Sequence, residues 1–190
     1  TTFAQDADAD DKGKLERIEV TARKTVESLQ ETPVAITSIG AVELAEKGIS
    51  VLTEVQQFSP NTTLQTSRGT NSTLTAFIRG LGQQDPLWGY EPGVGIYVDG
   101  VYLARTLGSV LDTGTIERVE VVKGPQGVLY GKNTVGGAIN IVTARPARHL
   151  HSAITYRAGP DDRNDALLRV DLPLLPDTLY SQFSIASRHF

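Results

Sequence analysis

Cysteine is absent from the 190 residues, which excludes disulfides and thiolate metal ligation and leaves the redox compartment open. Long apolar runs are absent as well. No stretch approaches the roughly 18 apolar residues that a membrane-spanning helix needs. Positive charge is not in excess: 18 Lys and Arg stand against 22 Asp and Glu, a formal net charge of −4. A nucleic-acid partner, which asks for a basic domain or stripe, is therefore not expected. Histidine occurs only three times, scattered, and with no cysteine these residues do not assemble the converging nucleophile, base or metal set of an active site. The chain is expected not to be an enzyme, and to carry no cofactor and no metal site. Methionine and a basic leader are absent too. Thr2-Phe3-Ala4 reads equally as the tail of a signal-peptide cleavage site, with Gln5 opening the mature chain, or as an arbitrary chain end.

What is present divides into regions. Residues 5–14, QDADADDKGK, are acidic and without periodicity, and a solvated, disordered leader is expected. Asp6, Asp8 and Asp10 mimic a calcium loop, but Asp11 holds its glycine position and Arg17 its bidentate Glu position, so an EF-hand fails. In LERIEVTAR (15–23), Ile18, Val20 and Ala22 alternate with Glu19, Thr21 and Arg23, a strand pattern. PVAITSI (33–39) is a further β-prone run. AVELAEKG (41–48) predicts a helix stopped at Gly48, and Ser50 is placed to cap a second through VLTEVQQFSP. Strands are expected over TAFIRG (75–80), VGIYVDGVYL (94–103), IERVEVVKG (116–124) and INIVTA (139–144), with loops at 65–73, 82–93 and 104–114. The N-x-[ST] sequons at Asn61 and Asn71 are short enough to be chance matches.

After Pro146 the pattern changes. HSAITYRA (151–158), ALLRVDLPL (166–174) and LYSQFSIASR (179–188) each alternate apolar with polar residues: Ala166, Leu168, Val170, Leu172 and Leu174 share one face, Arg169 and Asp171 the other. Segments of about ten residues joined alternately by long and tight turns fit a transmembrane β-barrel. A half-buried antiparallel sheet of a soluble domain fits the alternation equally.

The densest signal is GPQGVLYGKNTVGGAINIVTARP (124–146), which crowds Gly124, Gly127, Gly131, Gly136 and Gly137 before an apolar run. A phosphate-binding loop of the G-x-x-x-x-G-K-[ST] type fails here: Asn133 follows Gly131-Lys132, and Gln126 stands five residues before Gly131. Such a loop would also open a helix, and NTVGGAINIV reads on as loop and strand. A compact turn that re-aims the chain between adjacent strands, with close backbone approach, explains the glycines better.

The stretch IERVEVVKGPQGVLYGKNTVGGAINIVTARP (116–146) resembles the signature of the plug domain of TonB-dependent outer-membrane receptors. FIRGLG (77–82), GVGIYVDGVYLAR (95–105), ETPVAITSI (31–39) and LTEVQQFSPN (52–61) stand in the order that family has them, and the likeness runs from about residue 16 to 146. Residues 150–190 are then similar to the first barrel strands. The resemblance implies an α+β plug, a small mixed sheet with short helices, followed by antiparallel strands of the 22-stranded barrel of plugged transporters. It divides the chain into a leader (1–15), a TonB-box region (16–23), a plug (24–146) and barrel strands (147–190).

For function, the resemblance implies import of a scarce ligand, a ferric siderophore or similar iron complex, across the Gram-negative outer membrane, with the N-terminus periplasmic and outer-membrane lipid around the barrel. TonB, with its inner-membrane energising complex, would grip the box by β-augmentation. The segment best suited is Glu16, Arg17, Ile18, Glu19, Val20, Thr21 and Ala22. The charges of Arg79, Glu117, Arg118, Glu120 and Lys123 fall in the plug motifs, where the family latches plug to barrel. Many relatives carry Arg where Lys123 stands, and Lys lacks the planar fork of a bidentate latch. Trp88, Tyr90, Tyr102 and Arg105 are expected on apical loops, where rings could stack on a ligand and a guanidinium meet an anionic chelate. His149 and His151, two residues apart, make a poor metal pair and suit the boundary between plug and barrel.

About fifteen residues precede the box, which leaves no room for the additional small domain of signalling members, so transport without that branch is expected. Three strands cannot close a barrel, and unpaired edges are not tolerated in lipid, so the sequence is expected to be part of a longer protein. The competing reading is a short product, an isolated plug that binds TonB or ligand without transport.

Overall fold

The computed structural model describes residues 18–21, 23–25, 27–67, 70–83, 91–104, 115–159, 164–175 and 178–189. Its centre is a five-stranded mixed sheet in which β3 (Ala35–Gly40), β9 (Ile116–Lys123) and β10 (Gly137–Thr143) run antiparallel. β10 then pairs in parallel with β7 (Val94–Val98), and β8 (Val101–Tyr102) closes the edge. β9, β10 and β7 are the interior strands, and β9 and β10 are covered on both faces, so their valines and isoleucines run nearly unbroken. Ahead of the sheet, β1 (Glu19–Val20) pairs antiparallel with β2 (Glu27–Ser28).

One face of the central sheet carries the main core. Ile39, Val119, Val121, Ile139, Ile141 and Ile96 pack there with Leu44 of helix α1 (Ala41–Glu46), Leu52 and Val55 of a 3-10 segment (Leu52–Phe58), and Leu64, Leu74 and Ile78 of a second sheet. Each such side chain contributes about 1.5–3 kcal/mol by leaving water. The second sheet joins β4 (Thr62–Ser67), β5 (Thr70–Ile78) and β6 (Leu81–Gly82), all antiparallel. The opposite face of the central sheet holds a smaller cluster of Tyr97, Val122, Ala138 and Tyr130, the last on the short helix α2 (Gly127–Tyr130).

Several local expectations change. Of the polar stretch 65–73, expected as a loop, residues 65–67 belong to β4 and 70–73 to β5; the threonines there are β-branched and suit a pleated surface better than a turn. The second helix is 3-10, and Ser50 does not cap it. The Glu54 carboxylate does so instead, accepting the Ser50 and Val51 backbone N–H groups at 2.6 and 3.2 Å. The run 94–103 is two strands, not one. Asp99 and Gly100 both take positive φ (49° and 81°), the two-residue hairpin turn for which Asp-Gly is suited. Within the glycine cluster the chain makes a helical turn, α2, before the strand. Gly136 and Gly137 are required by close packing: a Cβ on Gly136 would lie 2.9 Å from the Leu81 carbonyl oxygen, and one on Gly137 would run into that of Val122.

After Pro146 the chain forms a separate antiparallel meander of β11 (His151–Ala158), β12 (Asn164–Leu175) and β13 (Leu179–His189). Register sorts its faces. Ile154 lies opposite Leu168 and Ile185, and Val170 opposite Phe183, on one face; His151, Asp171 and Gln182, and Arg169 and Ser184, align on the other.

Candidate functional site

Strand β9 carries one acid inside an otherwise apolar run, and that acid organises the face on which the N-terminal segment rests. Glu120 is 0 % exposed. It lies between Ser38 of β3 and Asn140 of β10 in cross-strand register, so a polar row crosses three strands. Its carboxylate accepts the Thr21 backbone N–H at 2.8 Å, the Thr21 hydroxyl at 3.1 Å, the Asn140 amide at 3.0 Å and Arg118 Nε at 2.8 Å. A buried carboxylate is tolerated only when its lone pairs are met, and here donors meet both oxygens. Val20 is buried one residue before, whereas Ile18 and Glu19 are exposed.

The chain then turns at Lys24, which takes a positive φ of 63° and sets its ammonium 4.4 Å from the Tyr130 ring centre and 5.0 Å from that of Tyr97. The two rings meet edge-on at 4.8 Å, and the Tyr97 hydroxyl donates to the Tyr130 carbonyl oxygen at 2.6 Å. Burial raises the Tyr130 phenol well above its ordinary range, with the charges of Glu120 and Tyr97 adding to it; burial raises Tyr97 likewise. Both rings therefore stay neutral, the state in which their faces attract a cation. The arrangement holds the extended segment against the sheet. A hydrogen bond to a charged acceptor contributes about 1.5–3 kcal/mol and an exposed cation–π contact about 0.5–1 kcal/mol.

Of the box residues, Ile18, Glu19, Val20 and Thr21 are seen here, with Glu19 and Val20 engaged in β1; Glu16, Arg17 and Ala22 lie outside the described residues. The charges expected to act as latches form two groups. Arg118 bridges Glu117 and Glu120 and also reaches the Thr21 hydroxyl at 3.2 Å. Arg79 and Lys123 are neighbours, the Lys123 ammonium being lowered first by burial and then by the charge of Arg79. Glu117 also lines a cavity of about 270 Å³ between α1 and the meander, whose lining includes Arg157 and Arg169. Tyr102, expected on an apical loop, is a strand residue: it stands across from Tyr97 in β8, its ring 5.3 Å away and its hydroxyl accepting from Asn133 at 2.8 Å. The reason is the tight Asp99-Gly100 turn, which returns the chain at once into the sheet. Trp88, Tyr90 and Arg105 lie outside the described residues. His151 approaches Asp171 at 3.6 Å, while His149 is exposed on the segment before β11.

Sequence reasoning missed Lys24, Tyr97, Tyr130 and Asn140. A signal existed for their centre, since a single acid in the run VEVV demands partners once that run is an interior strand.

A mixed sheet with few helices, bearing an N-terminal segment on one face and followed by an antiparallel meander, defines a plug-type module with additional antiparallel strands. The chain belongs to the family of the TonB-dependent receptor plug domain, whose family model matches residues 28–138. It is similar to the vitamin B12 transporter BtuB of Vibrio vulnificus, 31 % identical over 77 % of this chain and 24 % of that protein. It is also similar to the pesticin receptor of Yersinia enterocolitica, 35 % identical over 88 % of this chain and 24 % of the relative. Among solved structures, the ferric yersiniabactin uptake receptor FyuA of Yersinia pestis superposes with a TM-score of 0.69 at 28 % identity, covering 80 % of this chain and 24 % of that one. The siderophore receptor PiuA of Acinetobacter baumannii shares the fold, with a TM-score of 0.71 at 20 % identity over 92 % of this chain and 23 % of its own. The chain thus spans about a quarter of the length of the relatives it matches.

Proposed function

We propose that this chain is the plug and first wall strands of an outer-membrane receptor that imports a scarce ligand with energy delivered by TonB. The observation that carries the reading is the meander after Pro146. Its outward face exposes Ile154 at 79 %, Ile185 at 70 % and Phe183 at 59 %, while Arg169, Asp171 and Gln182 share the other face. An exposed apolar band of this kind is costly in water and at home in hydrocarbon. In this reading residues 1–15 are a leader, 16–23 hold the TonB box, 24–146 form the plug inside a 22-stranded barrel and 147–190 open the barrel wall.

The box works by exchange of partners. The β1–β2 pair is only two residues long, and Glu120 and the tyrosines hold the segment beside it. Once freed, the strand offers its backbone to the open sheet edge of TonB in the periplasm. Glu117, Arg118, Arg79 and Lys123 hold plug to wall, with Glu120 bracing Arg118 from within the sheet; that Glu117 lines one cavity with Arg157 and Arg169 supports this role. Trp88, Tyr90 and Arg105 meet the ligand, a ferric siderophore or similar iron complex. Names of relatives, a ferric yersiniabactin uptake receptor among them, support an iron complex as cargo.

The test is the native product in fractionated cells. A heat-modifiable outer-membrane band several times larger than this chain, with iron-complex uptake that requires TonB, is the expected result. A soluble periplasmic band near the chain's own mass overturns it.

A further inference from the structure

Three buried polar atoms on the face beneath the N-terminal segment have no hydrogen-bond partner among the described residues: Ser38 Oγ, Asn140 Oδ1 and the Tyr130 hydroxyl. A native interior keeps few such groups, and each asks for a use. Ser38 is the informative one. It stands directly opposite Glu120 in the β3–β9 ladder, while Asn140 stands opposite the same acid from β10. Directly opposed residues keep their Cβ atoms about 4.5–5.5 Å apart, so rotation about single bonds brings the Ser38 hydroxyl within reach of the Glu120 carboxylate. With Thr21 in place that hydroxyl is not used. Glu120 Oε1 already accepts the Thr21 N–H at 2.8 Å, the Thr21 hydroxyl at 3.1 Å and Arg118 Nε at 2.8 Å, and Oε2 accepts the Asn140 amide at 3.0 Å. Departure of Thr21 takes two donors away at once and leaves Arg118 on one oxygen and Asn140 on the other.

We propose that Ser38 is the reserve donor of Glu120, a positioning residue whose hydroxyl takes the place of the Thr21 hydroxyl when the N-terminal segment leaves the sheet. The inference rests on the reading of that segment as one that TonB draws away. Asn140 then holds the carboxylate from β10 and Ser38 from β3, so the acid stays bonded within the sheet while its cover is gone. Withdrawal of the segment is thereby uncoupled from loosening of β3 and β9, and the segment can return to an unchanged surface.

The experiment is residue-resolved hydrogen exchange on the native product, taken from whichever cell fraction holds it. Thr21→Pro, which removes the N–H and the hydroxyl together, lifts the segment without TonB, so the outcome does not depend on transport. Ser38→Ala alone should leave the ladder amides of β3 and β9 as protected as before, since it deletes an unbonded hydroxyl. Added to Thr21→Pro, it should make them exchange about three- to tenfold faster than Thr21→Pro alone does. Ser38→Thr, which keeps a hydroxyl, should not. If Thr21→Pro fails to fold, Thr21→Ala, which removes only the hydroxyl, takes its place in the same cycle, with a smaller rise expected. Equal effects of Ser38→Ala with and without Thr21 overturn the reserve donor; no effect in either is the result when water takes the place of Thr21.

Discussion

The central sheet and the meander draw on the same side chains and treat them oppositely. In β9 and β10, Val119, Val121, Val122, Ile139 and Ile141 are fully buried, packed from both faces. In β11–β13, Ile154, Leu168, Phe183 and Ile185 are exposed on one face, with the charges on the other. A soluble sheet with one wet face puts its polar residues toward the water. Here the apolar face is the exposed one and the charged face the more covered one, the contrast that the proposed barrel wall requires. In the central sheet the buried exception is Glu120, which survives because Thr21, Asn140 and Arg118 donate to it.

The comparison can be broken first at the meander. Ile185→Arg puts a guanidinium on the apolar face, at a cost of about 2–4 kcal/mol if that face meets the bilayer midplane. The heat-modifiable outer-membrane fraction should collapse, whereas a water-facing surface would accept the change with no loss of folded protein.

Glu120→Ala should have the next largest effect, about 1–3 kcal/mol, because it strands the Asn140 amide and the Thr21 N–H in the plug. Limited proteolysis should show earlier cleavage near residues 18–25, with β11–β13 intact.

Smaller again is the tyrosine pair, which sharpens the contrast within one face. Tyr97→Phe removes the hydrogen bond to the Tyr130 carbonyl and should lower stability by about 0.5–1.5 kcal/mol in denaturant titration. The Tyr130 hydroxyl is buried and has no hydrogen-bond partner among the described residues, so Tyr130→Phe should be neutral or stabilising. The folded state holds the Tyr130 proton more tightly than the unfolded chain does. Its contribution is therefore fully present below about pH 10 and lost as the pH rises beyond that value. Tyr130→Phe should flatten the alkaline limb of the stability profile.

Lys24→Ala should cost least, about 0.5–1 kcal/mol, since the ammonium lies over the rings from the solvent side. Increased mobility of a spin label at Glu19, with global stability lowered by no more than that amount, is the expected readout.

Much of the fold was legible because it obeys local periodicity. IERVEVVKG and INIVTA became β9 and β10, AVELAE became α1, and the three alternating segments after Pro146 became a meander with the expected faces. Of the β4–β5 hairpin only TAFIRG was legible as strand; the threonines and glutamine before it carry no clear alternation and look like a loop until Leu64 and Leu74 are seen to share the core. Tyr102 was misplaced because a two-residue turn and a loop look alike in a string of letters. The contact of the N-terminal segment was legible only in half: residues 15–23 alternate as a strand does, but the acceptor of Thr21 lies 99 residues further along the chain.

By itself the sequence determined which segments become strands, where chain reversal needs glycine, and which face of each late strand is apolar, because these follow from side-chain volume, backbone freedom and a period of two. Only the tertiary structure decided which charge meets which backbone group. Glu120 finds Thr21, and Asp171 finds Gln182, because strand order and register bring distant residues together, and a buried carboxylate must take whatever donors that packing supplies.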